Sequence, residues 1–119
     1  MLNTTIATSL LGNPGKSKHT KYSVDTHFVL AVFDLDCTWH GSPPTYRIYV
    51  NDELFTEREW RWPSNFYLEQ LLQIQAPAGK YDVRVEPVYP SQAEFFIRNN
   101  RVDHGPAVWQ EQNKLVVQP

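Results

Sequence analysis

From Thr26 onward the chain alternates. In Phe33-Asp34-Leu35-Asp36-Cys37-Thr38-Trp39-His40 apolar and polar residues change places at every step. A period of two sends Phe33, Leu35, Cys37 and Trp39 to one face of a strand, and Asp34, Asp36, Thr38 and His40 to the other. Just upstream, Phe28 to Val32 is apolar on both faces, as in a strand covered on both sides. Gly41-Ser42-Pro43-Pro44 forces a loop. A second strand, Tyr46 to Val50, turns at Asn51-Asp52, two residues that tolerate left-handed backbone. It leads into a third, Leu54 to Trp62, with Thr56, Arg58, Trp60 and Trp62 on one face.

Tyr67 to Gln75 fits helical spacing through Leu68, Leu71 and Leu72, and strand spacing through Leu68, Leu72 and Ile74. The clean alternation of Tyr81, Val83 and Val85 after Pro77-Ala78-Gly79 makes strand, turn, strand the economical reading. Ala93 to Arg98 is a further strand, Asn99-Asn100 a turn, and Arg101 to His104 its hairpin partner. Trp109 and Leu115-Val116-Val117 supply the last strand or two. Turn signals every 8–12 residues point to an all-β fold, an antiparallel β-sandwich (immunoglobulin-like or jelly-roll) of seven to eight strands. Phe33, Leu35, Trp39, Ile48, Val50, Trp60, Leu72, Ile74, Val83, Val85, Phe95 and Ile97 are its expected core.

Residues 1–25 break the pattern. Thr4, Thr5, Thr8, Ser9, Gly12, Asn13, Pro14 and Gly15 give a polar, turn-rich texture around one apolar cluster, Ile6, Leu10 and Leu11. Ordering backbone costs ~1–2 kcal/mol per residue, more than these few side chains return on one small domain. The segment therefore reads as an extended N-terminal arm, 1–25, ahead of a β-sandwich domain, 26–119. Free in water it is expected to be mobile, and to order by docking on a neighbour. Ile6, Leu10 and Leu11 would enter an apolar groove, with Lys16, Lys18 and Lys21 against acidic surface.

Composition sharpens this picture. With 119 residues, 41% of them hydrophobic, the chain has length for one core. Lys16, Lys18 and Lys21 are the only charges in residues 1–24, giving +3; the remaining eight bases and thirteen acids give −5, so the whole carries −2. An acidic body argues against nucleic acid as its partner. No apolar run approaches the ~20 residues of a membrane helix, and the first residues lack the basic and apolar regions of a secretory leader. The single cysteine, Cys37, excludes an intrachain disulfide and a four-thiolate zinc site. It reads as a small buried residue in a reducing or redox-indifferent compartment.

Candidate chemistry is sparse. Asp34 and Asp36 share a strand face without a calcium-loop pattern and read as a solvated face. His19, His27, His40 and His104 show no metal-ligand spacing. No GxSxG, P-loop, GxGxxG or HExxH sequence occurs, so neither catalytic residues nor a cofactor or metal is expected. Aromatics are the one enrichment, with four tryptophans. Trp60 and Trp62, two apart on a strand, form a candidate sugar-stacking pair if they are exposed and coplanar; otherwise they fill the core or an interface.

The stretch Leu54-Phe55-Thr56-Glu57-Arg58-Glu59-Trp60-Arg61-Trp62, with Tyr67-Leu68-Glu69 and Ile74-Gln75-Ala76-Pro77-Ala78-Gly79-Lys80-Tyr81, resembles the small β-sandwich accessory and decoration proteins of marine tailed-phage (cyanophage-like) virions. The resemblance spans residues 46–108. It implies a virion structural protein, assembled in the host cytoplasm, that decorates or cements a capsid or tail by subunit contacts. Its partners would be a major capsid or tail protein and copies of itself, with no nucleic acid, membrane or catalysis. The alternative expectation is a carbohydrate-binding β-sandwich module.

Overall fold

The computed structural model describes residues 26–119 in full and the backbone of residues 3–10. Eight strands follow one another through 26–119: β2 (Thr26–Trp39), β3 (Thr45–Val50), β4 (Glu53–Glu59), β5 (Phe66–Pro77), β6 (Gly79–Pro87), β7 (Ala93–His104), β8 (Ala107–Gln110) and β9 (Lys114–Val117). All their pairings are antiparallel. Ahead of them β1 (Asn3–Leu10) runs parallel to β5. Two sheets, ordered β1-β5-β2-β7 and β4-β3-β6-β9-β8, pack face to face as a β-sandwich. The segment Tyr67 to Gln75 is strand, within β5, and no helix forms among the described residues.

Turn chemistry sets the connections. Asn51 and Asp52 both take positive φ, 52° and 64°, the signature of the tight hairpin turn their sequence predicts. Asn51 Oδ1 also accepts the Asp82 amide at 2.7 Å, tying this turn to β6. The third strand is shorter than its alternation predicts. Trp60 N–H still donates to the Pro44 carbonyl at 2.8 Å, but Pro44 has no N–H to return, so the ladder ends at Glu59.

Asn99-Asn100 is a correction. Instead of reversing the chain, Asn99 (φ 55°) makes a bulge, and the residues on either side both pair with the long strand β2. An isolated left-handed residue adds one position without turning the strand back. Reversal comes instead at Gly105. Its φ of +99° suits glycine, and a Cβ there would lie 2.4 Å from the Phe28 carbonyl oxygen.

The core lies between the sheets. Phe33, Leu35, Ile48, Val50, Trp60, Leu72, Ile74 and Val83 are fully buried, as their alternation predicts. Val32 is buried as well, although it lies on the opposite face of β2 from Phe33, so β2 is covered on both sides. Trp39, Val85, Phe95 and Ile97 are only partly buried. The last three lie where the edges of β6 and β7 stand apart. Gln70 shares the inward parity of Leu68 and Leu72; it is fully buried, and accepts a hydrogen bond from the Tyr46 hydroxyl at 3.4 Å.

Leu72→Ala should lower stability by about 2–5 kcal/mol, as cavity formation does in a packed core. Ile97→Ala, at a partly solvated site, should cost visibly less; urea midpoints of the two variants provide the comparison. Cys37 is fully buried, and burial pushes its thiol up to about 12. The folded protein at pH 8 should not react with an aromatic disulfide reagent, while one thiol per chain should react in denaturant.

Candidate interaction surface

The aromatic residues do not form a platform. Trp60 is fully buried, and its ring meets that of Trp62 at 71°, with centroids 5.6 Å apart. It also packs edge-on to Tyr46 and Phe95. A sugar needs an exposed ring face, and the inward parity of Trp60 removes one member of the pair. Trp39 and Trp109 are anchored by indole N–H bonds of 2.9 Å to the carbonyls of Trp62 and Arg101. Tyr49 and Tyr67 lie on the outer faces beneath Arg84 and Arg98, whose guanidinium carbons stand 4.5 and 5.1 Å from the ring centres. The aromatic enrichment thus serves the core, its edges and two cation–π covers, while Phe28, Phe66, Tyr89 and Phe96 are exposed.

The outer face of the β1-β5-β2-β7 sheet carries a charged row. Asp34, expected on a solvated face, is instead buried. The bulge at Asn99 brings three partners over it: Asn99 Nδ2 at 3.1 Å, Arg101 Nη1 at 3.4 Å and Arg98 Nη1 at 3.8 Å. Arg98 also donates to Asp36, and Arg101 to Glu69 on β5. The bond to Asp36 raises the Arg98 pKa further above its ordinary value, so this guanidinium stays charged. Two arginines and three carboxylates therefore stitch β7 to β2 and β5. Among the described residues no group of His, Cys, Asp and Glu is placed to hold a metal ion. Sequence reasoning missed the two arginines because the bulge that aims them is a tertiary feature.

The charged row predicts an asymmetry. Asp34→Ala leaves Arg98 on Asp36 and Arg101 on Glu69, and should cost under about 1 kcal/mol. Arg101→Ala removes the guanidinium that bridges Glu69 and the buried Asp34, leaving Asp34 with Asn99 and the more distant Arg98, and should cost about 1–3 kcal/mol. Chemical denaturation of both variants reads the difference, and the reverse ranking would disprove this account of the row.

An open cleft of about 770 Å³ lies between the edges of the two sheets. Val83 to Val85 of β6 line one side, Phe95 to Arg98 of β7 the other, and the turn from Glu111 to Asn113 closes one end. It exists because β9 is short. β9 pairs with Gly79–Asp82 only, and Val83 makes a last bond to the Asn113 carbonyl at 2.8 Å. Beyond that point the strand position beside β6 is empty among the described residues.

The candidate arm residues divide. Ile6 and Leu10 lie in β1, in register with Leu71 and Gln75 of β5. This part of the arm pairs with its own chain, along the β5 edge, whose backbone hydrogen bonds a count of apolar side chains leaves out. Leu11, Lys16, Lys18 and Lys21 lie outside the described residues. No protein-family model, curated protein or solved structure matches this chain.

Proposed function

We propose that the chain is a structural subunit, without catalysis, that decorates or cements a capsid or tail assembly by subunit contacts. The observation that carries this reading is β1. A strand from the arm is added to the outer edge of β5, and fifteen residues separate it from β2. Leu10 is in register with Gln75 and Thr26 with Pro77, near one end of β5. Crossing β5 from one neighbouring strand to the other spans about 10 Å, since strands lie ~4.8 Å apart. Fifteen residues reach up to about 50 Å. A strand paired along a sheet edge on so long a connection is suited to exchange, leaving its own β5 for that of a neighbour. The basic charge of residues 1–24 against the acidic remainder favours such contacts between subunits.

The test is the native particle. Tagged chain expressed in its source should sediment with a particle of megadalton mass, at a copy number set by the particle's symmetry. Deleting residues 2–22 should leave the sandwich folded and abolish incorporation. Recovery of the full chain only as free protein, or wild-type occupancy by the truncated chain, would overturn the proposal.

A further inference from the structure

The edge of β7 is protected along half its length. From Asn99 onward the bulge kinks the strand, Trp109 of β8 bonds the Arg101 carbonyl, and Asn100 Nδ2 bonds the Gln112 carbonyl. From Ala93 to Arg98 no strand lies on the side away from β2 among the described residues. The pairing pattern shows which groups are left. His40 N–H donates to the Gln92 carbonyl, so Glu94, Phe96 and Arg98 turn their backbone bonds toward β2. Phe95 and Ile97 turn theirs outward. This stretch has no proline, no lysine and no bulge, and its two charges, Glu94 and Arg98, flank an apolar centre. Phe96 is 54% exposed within it.

The sequence Glu94-Phe95-Phe96-Ile97-Arg98 is complementary to itself when reversed about Phe96. Antiparallel pairing of two copies in that register joins Phe95 of one to Ile97 of the other as hydrogen-bonded pairs, the residues whose groups point outward. Phe96 then meets its own copy at a non-hydrogen-bonded position, where side chains stand closest. Glu94 of each copy faces Arg98 of the other. Glu94 is exposed and has no charged partner among the described residues, while Arg98 is half exposed beside Asp36. Moving the register by two residues in either direction sets Phe96 against a charge and loses the ion pairs.

We propose that Ala93–Arg98 is a self-association edge, through which two copies of this chain join their four-stranded sheets across a two-fold axis. The inference deepens the assembly reading by naming one partner and the strand that meets it. Pairing also covers the open side of the cleft beside Val85, Phe95 and Ile97. A strand-edge contact of this size belongs to the transient class, so the dimer should be reversible.

Recombinant full-length chain should show a concentration-dependent monomer–dimer equilibrium in sedimentation equilibrium. Phe96→Lys sets two ammonium groups against each other and should weaken the dimer at least tenfold. Ile97→Pro removes an N–H that β2 does not use, and should act likewise with the β2 pairing intact. Register is read by cross-linking. Phe96→Cys places two thiols at a close pair, with Cα atoms ~4.5 Å apart, inside disulfide range. It should oxidise to a dimer far faster than Glu94→Cys, and a Glu94→Cys and Arg98→Cys mixture should give the heterodimer. A monomer at every concentration, a dimer indifferent to Phe96→Lys, or equal cross-linking at 94 and 96 would overturn the proposal. These measurements use isolated chain, so their failure leaves the particle test of the assembly reading standing.

Discussion

Everything in this sandwich is referred to β2. Its fourteen residues pair with β5 on one side and β7 on the other, so its backbone groups are satisfied across the sheet. Its side chains are covered above and below: Val29, Ala31, Phe33 and Leu35 enter the core, while Val32 and Asp34 are buried on the opposite face. A strand enclosed on four sides cannot slip. A shift of one residue would send Asp34 into the core and Phe33 under the arginines. The bulge at Asn99, the arginine pair on Asp34 and the close passage of Gly105 over Phe28 are all consequences of fitting the chain around this strand.

That dependence explains what was legible in the sequence. Inward parity is local, and it correctly placed Phe33, Leu35, Ile48, Trp60, Leu72 and Val83. The doubly apolar stretch Phe28 to Val32 predicts cover on both faces, but on its outer face only Val32 is buried, Leu30 is partly buried and Phe28 is exposed. Gln70 lies between Leu68 and Leu72 on the same face and is buried with them, a polar position the sequence reading did not place, whose hydrogen bond to Tyr46 no local rule supplies. What failed was non-local. Asn99-Asn100 has the composition of a turn, yet a left-handed asparagine serves a bulge as well as a reversal, and only the length of β2 decides between them. Asp34 is polar in sequence, and its burial depends on arginines more than sixty residues away. Trp60 and Trp62 have the spacing of a stacking pair, and the same parity that defines the spacing buries one of them.

A sandwich of open sheets has four edges, and each is handled by different chemistry. The β5 edge is covered by β1, a strand drawn from the arm. The edge strand β4 carries a register irregularity opposite Ile48/Tyr49 and a run of charges from Glu57 to Glu59. β8 is only four residues long. The far half of β7 is kinked and tied to β8 and to the β8–β9 turn. Among the described residues two stretches are left open: β6 beyond Val83, which faces the cleft, and Ala93–Arg98 of β7, straight and apolar at its centre.

Unprotected edges are costly to any chain at high concentration, because backbone pairing is indifferent to sequence and leads to open-ended association. Self-complementarity changes that outcome. An edge that matches its own reverse closes after one pairing, since a two-fold contact uses the same patch on both subunits and leaves none free. The ion pairs between Glu94 and Arg98 penalise neighbouring registers, and the bulge at Asn99 limits the ladder to five residues per strand, Glu94 to Arg98. The arm strand follows a different logic. β1 could be exchanged reciprocally, closing a pair, or in one direction, extending from subunit to subunit or closing a ring. In the assembly proposed above, self-pairing at β7 and exchange of β1 would give each subunit two kinds of connection, and that combination is what the fold would contribute to it.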